Sequence, residues 1–168
     1  IDLSERTIVR LSPYFAHNCG SLTTFKYTGN IGSVPEVAFA NTSLISFDFR
    51  EGLKSIGAQA FSKGSISKGE MLLNQDIVFP STLEKIGVSA FTECSMKSIT
   101  FNEGLKEIYH DVFEQCTKVT NELVFPSTLE YIGSFAFDHY SNCSNTSITI
   151  PASVRIIGEG GDPTHKAY

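Results

Sequence analysis

Four cysteines (Cys19, Cys94, Cys116, Cys143) and four histidines (His17, His110, His139, His165) are the residues of this 168-residue chain best suited to chemistry. A cysteine becomes a nucleophile only when a nearby base or positive charge helps it to a thiolate. Cys94 and Cys116 lie 22 residues apart in matching sequence contexts, and no histidine recurs beside either. No Cys-x-x-Cys pair provides a zinc half-site, and four cysteines are too few for a disulfide scaffold at this length. Two readings of Cys94 and Cys116 remain. They are buried free thiols filling a small apolar slot, or they are bridged, which needs Cα atoms about 4.4–6.8 Å apart. His110-Asp111 is the one suggestive neighbour pair. Adjacent residues of a strand or turn point apart, so the histidines read as exposed turn residues. The charged residues are dispersed rather than convergent, so no catalytic residue, metal site or cofactor is expected. The Gly-x-x-x-x-Gly-Lys phosphate loop is absent.

Composition narrows the partners. A net charge of −5 argues against nucleic acid and against an anionic membrane surface. With 41% apolar and 18% charged residues, the chain is too apolar to be disordered, and no apolar run approaches the length of a spanning helix. The chain begins at Ile1 rather than Met, which reads as processed or trimmed, so the lack of a leader says nothing about export. Tryptophan is absent while phenylalanine occurs 13 times, which points to one structural slot used repeatedly.

That slot belongs to a repeat. Leu83-Glu84-Lys85-Ile86-Gly87-Val88-Ser89-Ala90-Phe91-Thr92-Glu93-Cys94 aligns with Leu105 to Cys116, with Leu129 to Phe137 and with Leu53 to Phe61. The anchor apolar residue recurs at Leu11, Val34, Ile56, Ile86, Ile108, Ile132 and Ile157, at spacings of 23, 22, 30, 22, 24 and 25. The N-terminal copies are degraded, with Phe15-Ala16 inverting the Ala-Phe pair, and the last unit stops soon after Ile157, as a terminal cap would. The long spacing holds the insertion Ser62–Gln75, with Gly64 in the cysteine slot, and further residues are added around Tyr140–Thr146. Such an insertion reads as tolerated decoration or, since inserted loops often carry function, as a partner contact.

Each unit also carries an alternating stretch, such as Ser98-Ile99-Thr100-Phe101, Asp76-Ile77-Val78-Phe79 or Glu122-Leu123-Val124-Phe125. Period-two alternation predicts a short half-buried strand. Pro-Ser-Thr-Leu or x-Glu-Gly-Leu follows, as two solutions to one bend. Eleven of the thirteen phenylalanines fall in the Ala-Phe slot or in these strands. Stacked coils would align them into ladders along a slab roughly 30 Å long, at the strand spacing of about 4.7–4.9 Å. If the Ile and Phe of each strand point inward, two outward columns remain: Thr24, Ser46, Asp76, Ser98, Glu122 and Ser147, then Lys26, Asp48, Val78, Thr100, Val124 and Thr149. The binding face is expected there, on Thr24, Ser46, Asp48, Asp76, Ser98, Thr100, Glu122 and Thr149. It is mildly acidic and hydroxyl-rich, without an aromatic cluster.

The pattern L-x-x-I-G-x-x-A-F-x-x-C-x-x-L-x-x-I-x-[IF]-P resembles the BspA-like, or Treponema pallidum-type, leucine-rich repeats over about residues 8–158, most specifically in 79–137. The resemblance implies a right-handed β-rich solenoid of short parallel strands with turns or 3-10 segments and little α-helix. It also implies a surface or secreted location and binding through the concave sheet. Its motif residues are structural, and none is catalytic. The expected organisation is one domain, 1–168, with degenerate repeats in 1–50, regular repeats in 51–150 and a partial repeat and tail in 151–168. The expected function is a non-catalytic, extracellular or cell-surface module, without membrane insertion, that adheres to a protein or glycan and is most simply a monomer. The alternative is a structural spacer or display domain with no ligand of its own. Asn41-Thr42-Ser43, Asn142-Cys143-Ser144 and Asn145-Thr146-Ser147 match the glycosylation sequon and matter only in a secreting eukaryote.

Overall fold

The computed structural model describes residues 2–7, 10–63, 73–140 and 148–158. Ten short strands form three parallel sheets, with no helix among the described residues. β1 (Asp2–Thr7) pairs with β2 (Lys26–Thr28). β5 (Asp76–Val78) pairs with β7 (Ser98–Thr100), in the register Asp76 to Ser98, Ile77 to Ile99 and Val78 to Thr100. The largest sheet comprises β3 (Ser33–Val34), β4 (Ser55–Ile56), β6 (Lys85–Ile86), β8 (Glu107–Ile108), β9 (Tyr131–Ile132) and β10 (Ile156–Ile157). The chain is therefore a parallel-strand solenoid, as the repeat predicts. The continuous sheet, however, runs through the anchor Val/Ile column and not through the alternating stretches. It begins at Val34; Leu11 is buried in the core but pairs with no strand.

Between sheet and strand each coil crosses through its Ala-Phe segment, which forms a further ladder. Backbone N–H groups of Ser89, Phe91 and Glu93 donate to the carbonyls of His110, Val112 and Glu114 in the next coil, while those of Ala90, Thr92 and Cys94 reach back three residues. This alternation uses left-handed backbone, at two positions in most coils: Ser89 (φ 53°) and Glu93 (61°), then Asp111 (58°) and Gln115 (57°), with the same pair at Tyr14/Asn18, Val37/Asn41 and Phe135/His139, and with Gln59 (54°) in the coil before the insertion. Each costs roughly 1–2 kcal/mol, offset by the inter-coil hydrogen bonds it permits. The inverted N-terminal copy keeps the register. Ala16 donates to Ala38 and lies in the phenylalanine slot, and Phe15 turns partly outward against Phe25 and Phe39. Register also survives the insertion, since Ile56 pairs with Ile86 and Phe61 donates to Ala90. Residues 64–72 of that insertion lie outside the described residues.

The core is two phenylalanine columns. In the Ala-Phe slot, Phe39, Phe61, Phe91, Phe113 and Phe137 stack at 5.5, 5.3, 5.5 and 5.4 Å between centroids, with interplanar angles of 19° or less. In the strands, Phe79, Phe101 and Phe125 stack at 5.8 and 5.9 Å, and Phe25 stacks on Phe47 at 6.0 Å. Edge contacts such as Phe47–Phe61 at 5.0 Å and Phe125–Phe137 at 5.6 Å join the columns. Burying each ring stabilises the fold by about 1.5–3 kcal/mol.

Between Arg50 and Leu129 the two turn types alternate and interlock. The Glu51 carboxylate accepts hydrogen bonds from the Ser81 backbone N–H (2.8 Å) and hydroxyl (3.1 Å) of the next coil, and the Thr82 hydroxyl accepts from the Gly52 N–H (2.7 Å). Glu103 does the same with Ser127, and Gly104 with Thr128. These bonds, the backbone N–H first, hold both carboxyls below the usual carboxylate range. Gly104 adopts φ 113°, and a Cβ there would meet the Ser81 carbonyl oxygen at 2.0 Å. In the sheet, a Cβ on Gly87 would lie 2.7 Å from the Ala58 nitrogen, so the Ile-Gly step sets how closely coils approach.

In the last described coil Ile157 is 63% exposed, and Ile148 and Ile150 are exposed as well.

Gly104→Ala should lower unfolding stability by more than about 1 kcal/mol. Gly32→Ala, where a Cβ would meet nothing within 4 Å, should stay within about 0.5 kcal/mol in the same denaturation assay. Because the Glu51 and Glu103 carboxyls titrate below their unfolded value, their stabilisation is complete above the ordinary carboxylate range and is lost as pH falls through the folded values. The Tm deficit of a Glu51→Gln/Glu103→Gln double variant should therefore be present at neutral pH and close on acidification. A deficit independent of pH would contradict the assignment.

Candidate functional site

The outward columns beside the core strands place the expected face. Thr24, Ser46, Asp48, Asp76, Thr100, Glu122 and Thr149 are solvent-exposed; Ser98 is half-buried. Thr24 bridges Ser46 in parallel pairing, and β5 and β7 set Asp76, Ser98 and Thr100 side by side. The Ser98 hydroxyl donates to Asp76 Oδ1 at 2.6 Å. Asp48 receives Arg50 Nε at 2.6 Å, and that guanidinium lies 4.8 Å above the Tyr27 ring. The Tyr27 hydroxyl donates to the Asp48 carbonyl. Burial, with Asp48 adding to it, pushes the Tyr27 phenol up to about 12, so it stays neutral. Thr24, Lys26, Ser46, Asp48 and Arg50 border a hollow of about 310 Å³. Glu122 and Thr149 stand apart, on segments without strand pairing. Ser147 lies outside the described residues.

Three of the alternating stretches expected as strands form no regular strand, and for two of them side-chain amides explain why. The Phe47 N–H donates to Gln75 Oε1 while Gln75 Nε2 donates to the Phe47 carbonyl, both at 2.9 Å. Asn121 does the same for Ile99, with Oδ1 accepting at 2.9 Å and Nδ2 donating at 2.7 Å. Each amide stands in for a strand residue. The ladder is spliced by side chains on both flanks of β5 and β7, and residues 46–49 and 122–125 leave regular pairing. Residues 147–150 lie in the last coil, with no strand pairing among those described. The face also carries apolar points: Val78 is 55% and Val124 70% exposed, on either side of Thr100 in one column.

A cluster that the sequence does not announce lies on the six-stranded sheet. Tyr109 occupies the slot of Gly87 and Gly133, its ring 5.6 Å from Tyr131, and its hydroxyl donates to Glu107 Oε2 at 2.8 Å. His110 is half-buried, not an exposed turn residue. Its Nδ1 accepts from the Ser134 N–H (3.1 Å), which leaves Nε2 as the protonated nitrogen facing the Tyr131 hydroxyl (3.0 Å). That hydroxyl donates on to the Gly158 carbonyl at 3.3 Å. The relay ties three successive coils. Its nitrogens are consumed by structure, so it is not a base awaiting a substrate. A shallow hollow of about 250 Å³ beside Tyr109 is floored by Gly57 and Gly87 and rimmed by Lys85 and Ser55.

Cys94 and Cys116 are free, buried thiols. Their Sγ atoms donate to the carbonyls of Phe61 (3.2 Å) and Phe91 (3.1 Å) in the coil before. Burial pushes Cys94 well above the ordinary thiol value and Cys116 up to about 12, the reverse of what a nucleophile requires. Cys19 is exposed and free; Cys143 lies outside the described residues. In the Asn41 sequon, Asn41 Nδ2 donates to Asn18 Oδ1 (2.9 Å), and Thr42 and Ser43 donate to the carbonyls of Phe39 (2.8 Å) and Gly20 (2.7 Å). Asn41 and Ser43 are therefore engaged with the coil before, and Thr42 within its own. The sequons at Asn142 and Asn145 lie outside the described residues.

A family model described as a BspA type leucine rich repeat region matches residues 1–77 and 71–160, in six copies. Among solved structures, the chain is similar to the crystal structure of a leucine-rich repeat protein from Bacteroides ovatus ATCC 8483, with a TM-score of 0.55 and 23% identity. The match covers 90% of this chain and 43% of that one, so the chain spans less than half the length of its neighbour, and at this identity the likeness is one of fold. No curated protein matches.

In native protein near pH 8, alkylation should label Cys19 rapidly and spare Cys94 and Cys116 until the chain unfolds. Rapid labelling of either buried thiol, followed by peptide mass mapping, would overturn its placement.

Proposed function

The chain belongs to the BspA-type leucine-rich repeat family, and from that premise we propose that it is a non-catalytic binding module of the cell surface or extracellular space that engages a protein or glycan. Repeat proteins of this kind serve as protein-interaction or structural modules. No helix among the described residues is long and apolar enough to cross a membrane. The reading takes 1–168 as one domain, with degenerate repeats in 1–50, regular ones in 51–150 and the partial repeat in 151–168.

One observation carries the choice of face. Thr24, Ser46, Asp48, Asp76, Ser98, Thr100, Glu122 and Thr149 project from a rigid stack, and Val78 and Val124 stand exposed among them at 55% and 70%. Hydroxyls and carboxylates on a pre-positioned scaffold make directional contacts at little ordering cost. Exposed valines between them supply the apolar contacts around which a polar rim forms. The thiols and the histidine relay offer no competing chemistry, since each is already engaged within the stack.

Matrix-protein and glycan arrays should yield a ligand for the native chain. Two variants, Asp48→Ala/Asp76→Ala/Glu122→Ala and Val78→Asp/Val124→Asp, should each weaken binding by about tenfold or more. Their Tm should hold, because exposed substitutions of this kind change stability by only about 0.5 kcal/mol. Binding that survives both variants would place the ligand on another face, and arrays with no ligand at all would favour a spacer.

A further inference from the structure

A fixed arginine stands at one end of the outward face. Alternate residues of an extended segment share a side, so Asp48 and Arg50 project together from one coil, beside Lys26 from the coil before. Arg50 Nε donates to Asp48 Oδ2 at 2.6 Å. Its guanidinium lies 4.8 Å above the Tyr27 ring, a cation–π contact. Tyr27 is itself buried, and its hydroxyl donates to the Asp48 carbonyl. Asp48 and Tyr27 thus orient the guanidinium before any ligand arrives. They engage one nitrogen and one face of the group. Its two terminal amino groups have no hydrogen-bond partner among the described residues.

The hollow of about 310 Å³ beside this arginine lies between two described coils, with Thr24, Lys26 and Thr28 on one wall and Ser46, Asp48 and Arg50 on the other. That volume is at the small end of ligand sites, room for one compact unit of a larger ligand. The rim is polar, because Phe25 and Tyr27 are buried beneath it and offer no apolar anchor. Ser46 is exposed, and neither its hydroxyl nor Asp48 Oδ1 has a hydrogen-bond partner among the described residues. Lys26 and Arg50 make this the cationic end of the face, whose farther coils carry Asp76 and Glu122.

We propose that this hollow binds the carboxylate of an acidic sugar unit, a uronic or sialic acid residue of a glycan, a reading that rests on the outward face being the binding face. The carboxylate meets the two terminal amino groups of Arg50 in a paired, charge-assisted contact, and Lys26 adds positive charge from the facing wall. A guanidinium already held in place loses little freedom on binding. The hydroxyls of the same sugar find an acceptor in Asp48 Oδ1, and the Ser46 hydroxyl gives or accepts beside it. An acidic peptide satisfies the arginine equally well but brings no hydroxyls to Asp48, so the repulsion between Asp48 and the peptide's carboxylates stands without compensation. The pairing of one fixed guanidinium with a carboxylate acceptor and a hydroxyl therefore fits the sugar.

Calorimetric titration of the native chain with a galacturonic acid trimer and with sialyllactose should show saturable binding of at least one, weakening as salt rises. The methyl ester of the acid that binds keeps every hydroxyl and loses the charge. It should bind at least about tenfold more weakly, and so should triglutamate. Arg50→Lys keeps the charge but not the planar fork, and it should raise the dissociation constant by about tenfold or more. Ser46→Ala should raise it by a smaller factor. Both positions are exposed, so the Tm should hold in each variant. Binding of neither acid, an ester or triglutamate that binds as well as the acid, or affinity indifferent to Arg50→Lys would each overturn the proposal. A ligand lost on Val78→Asp/Val124→Asp yet indifferent to Arg50→Lys would keep the outward face and remove this subsite. A ligand indifferent to all of these changes would remove the face as well.

Discussion

The structure depends on coils lying one directly above the next closely enough for phenylalanine rings to touch face to face. Ring separations of 5.3–5.5 Å in the Ala-Phe column exceed the strand spacing of about 4.8 Å only slightly, so little slack exists. Everything else serves that approach. The Ile-Gly step removes a side chain where backbones nearly collide. Left-handed residues in each Ala-Phe segment turn alternate N–H groups toward the neighbour. The Glu-Gly turn of one coil is held by the Ser-Thr turn of the next. Loss of any of these opens the column, and a gap of even half an ångström forfeits much of the dispersion contact.

Polar groups in this fold are mostly spent on stacking. The two cysteines that share a repeat slot donate to carbonyls one coil back. His110, alone among the histidines beside an acidic neighbour on its C-terminal side, becomes a two-sided spacer between Ser134 and Tyr131. Gln75 and Asn121 repair a backbone ladder where strands fail to meet. With Cys94, Cys116 and His110 engaged within the stack, the outward columns beside the core strands are the polar surface on which the proposed recognition rests.

The sequence makes the columns legible because a side-chain slot recurs at a fixed period. Phe61, Phe91 and Phe113 could be placed in one stack from spacing alone, and so could the outward position of Asp76 and Thr100. The continuous sheet was not legible. A two-residue strand such as Glu107–Ile108 leaves no alternation to detect, whereas Glu122-Leu123-Val124-Phe125 alternates well and yet forms no regular strand because Asn121 takes up the neighbouring backbone. Left-handed Ser89, Asp111 and Phe135 were also silent, since none is glycine; the neighbouring coil imposes their conformation. His110 read as exposed because its partners, Tyr131 and Ser134, are distant in sequence and meet it only through the stack.

The insertion between Phe61 and Leu73 shows how such an array tolerates growth. Phe61 still donates to Ala90 and Leu73 donates to Leu44, so extra chain enters and leaves at one corner without disturbing the register on either side. Lengthening a loop whose ends are already fixed adds only about 0.6 kcal/mol per doubling. That corner recurs in every coil, after the Ala-Phe segment. A solenoid of this design can therefore acquire new surface one corner at a time, by local insertion, while its interior sequence stays under the strict rule of the column.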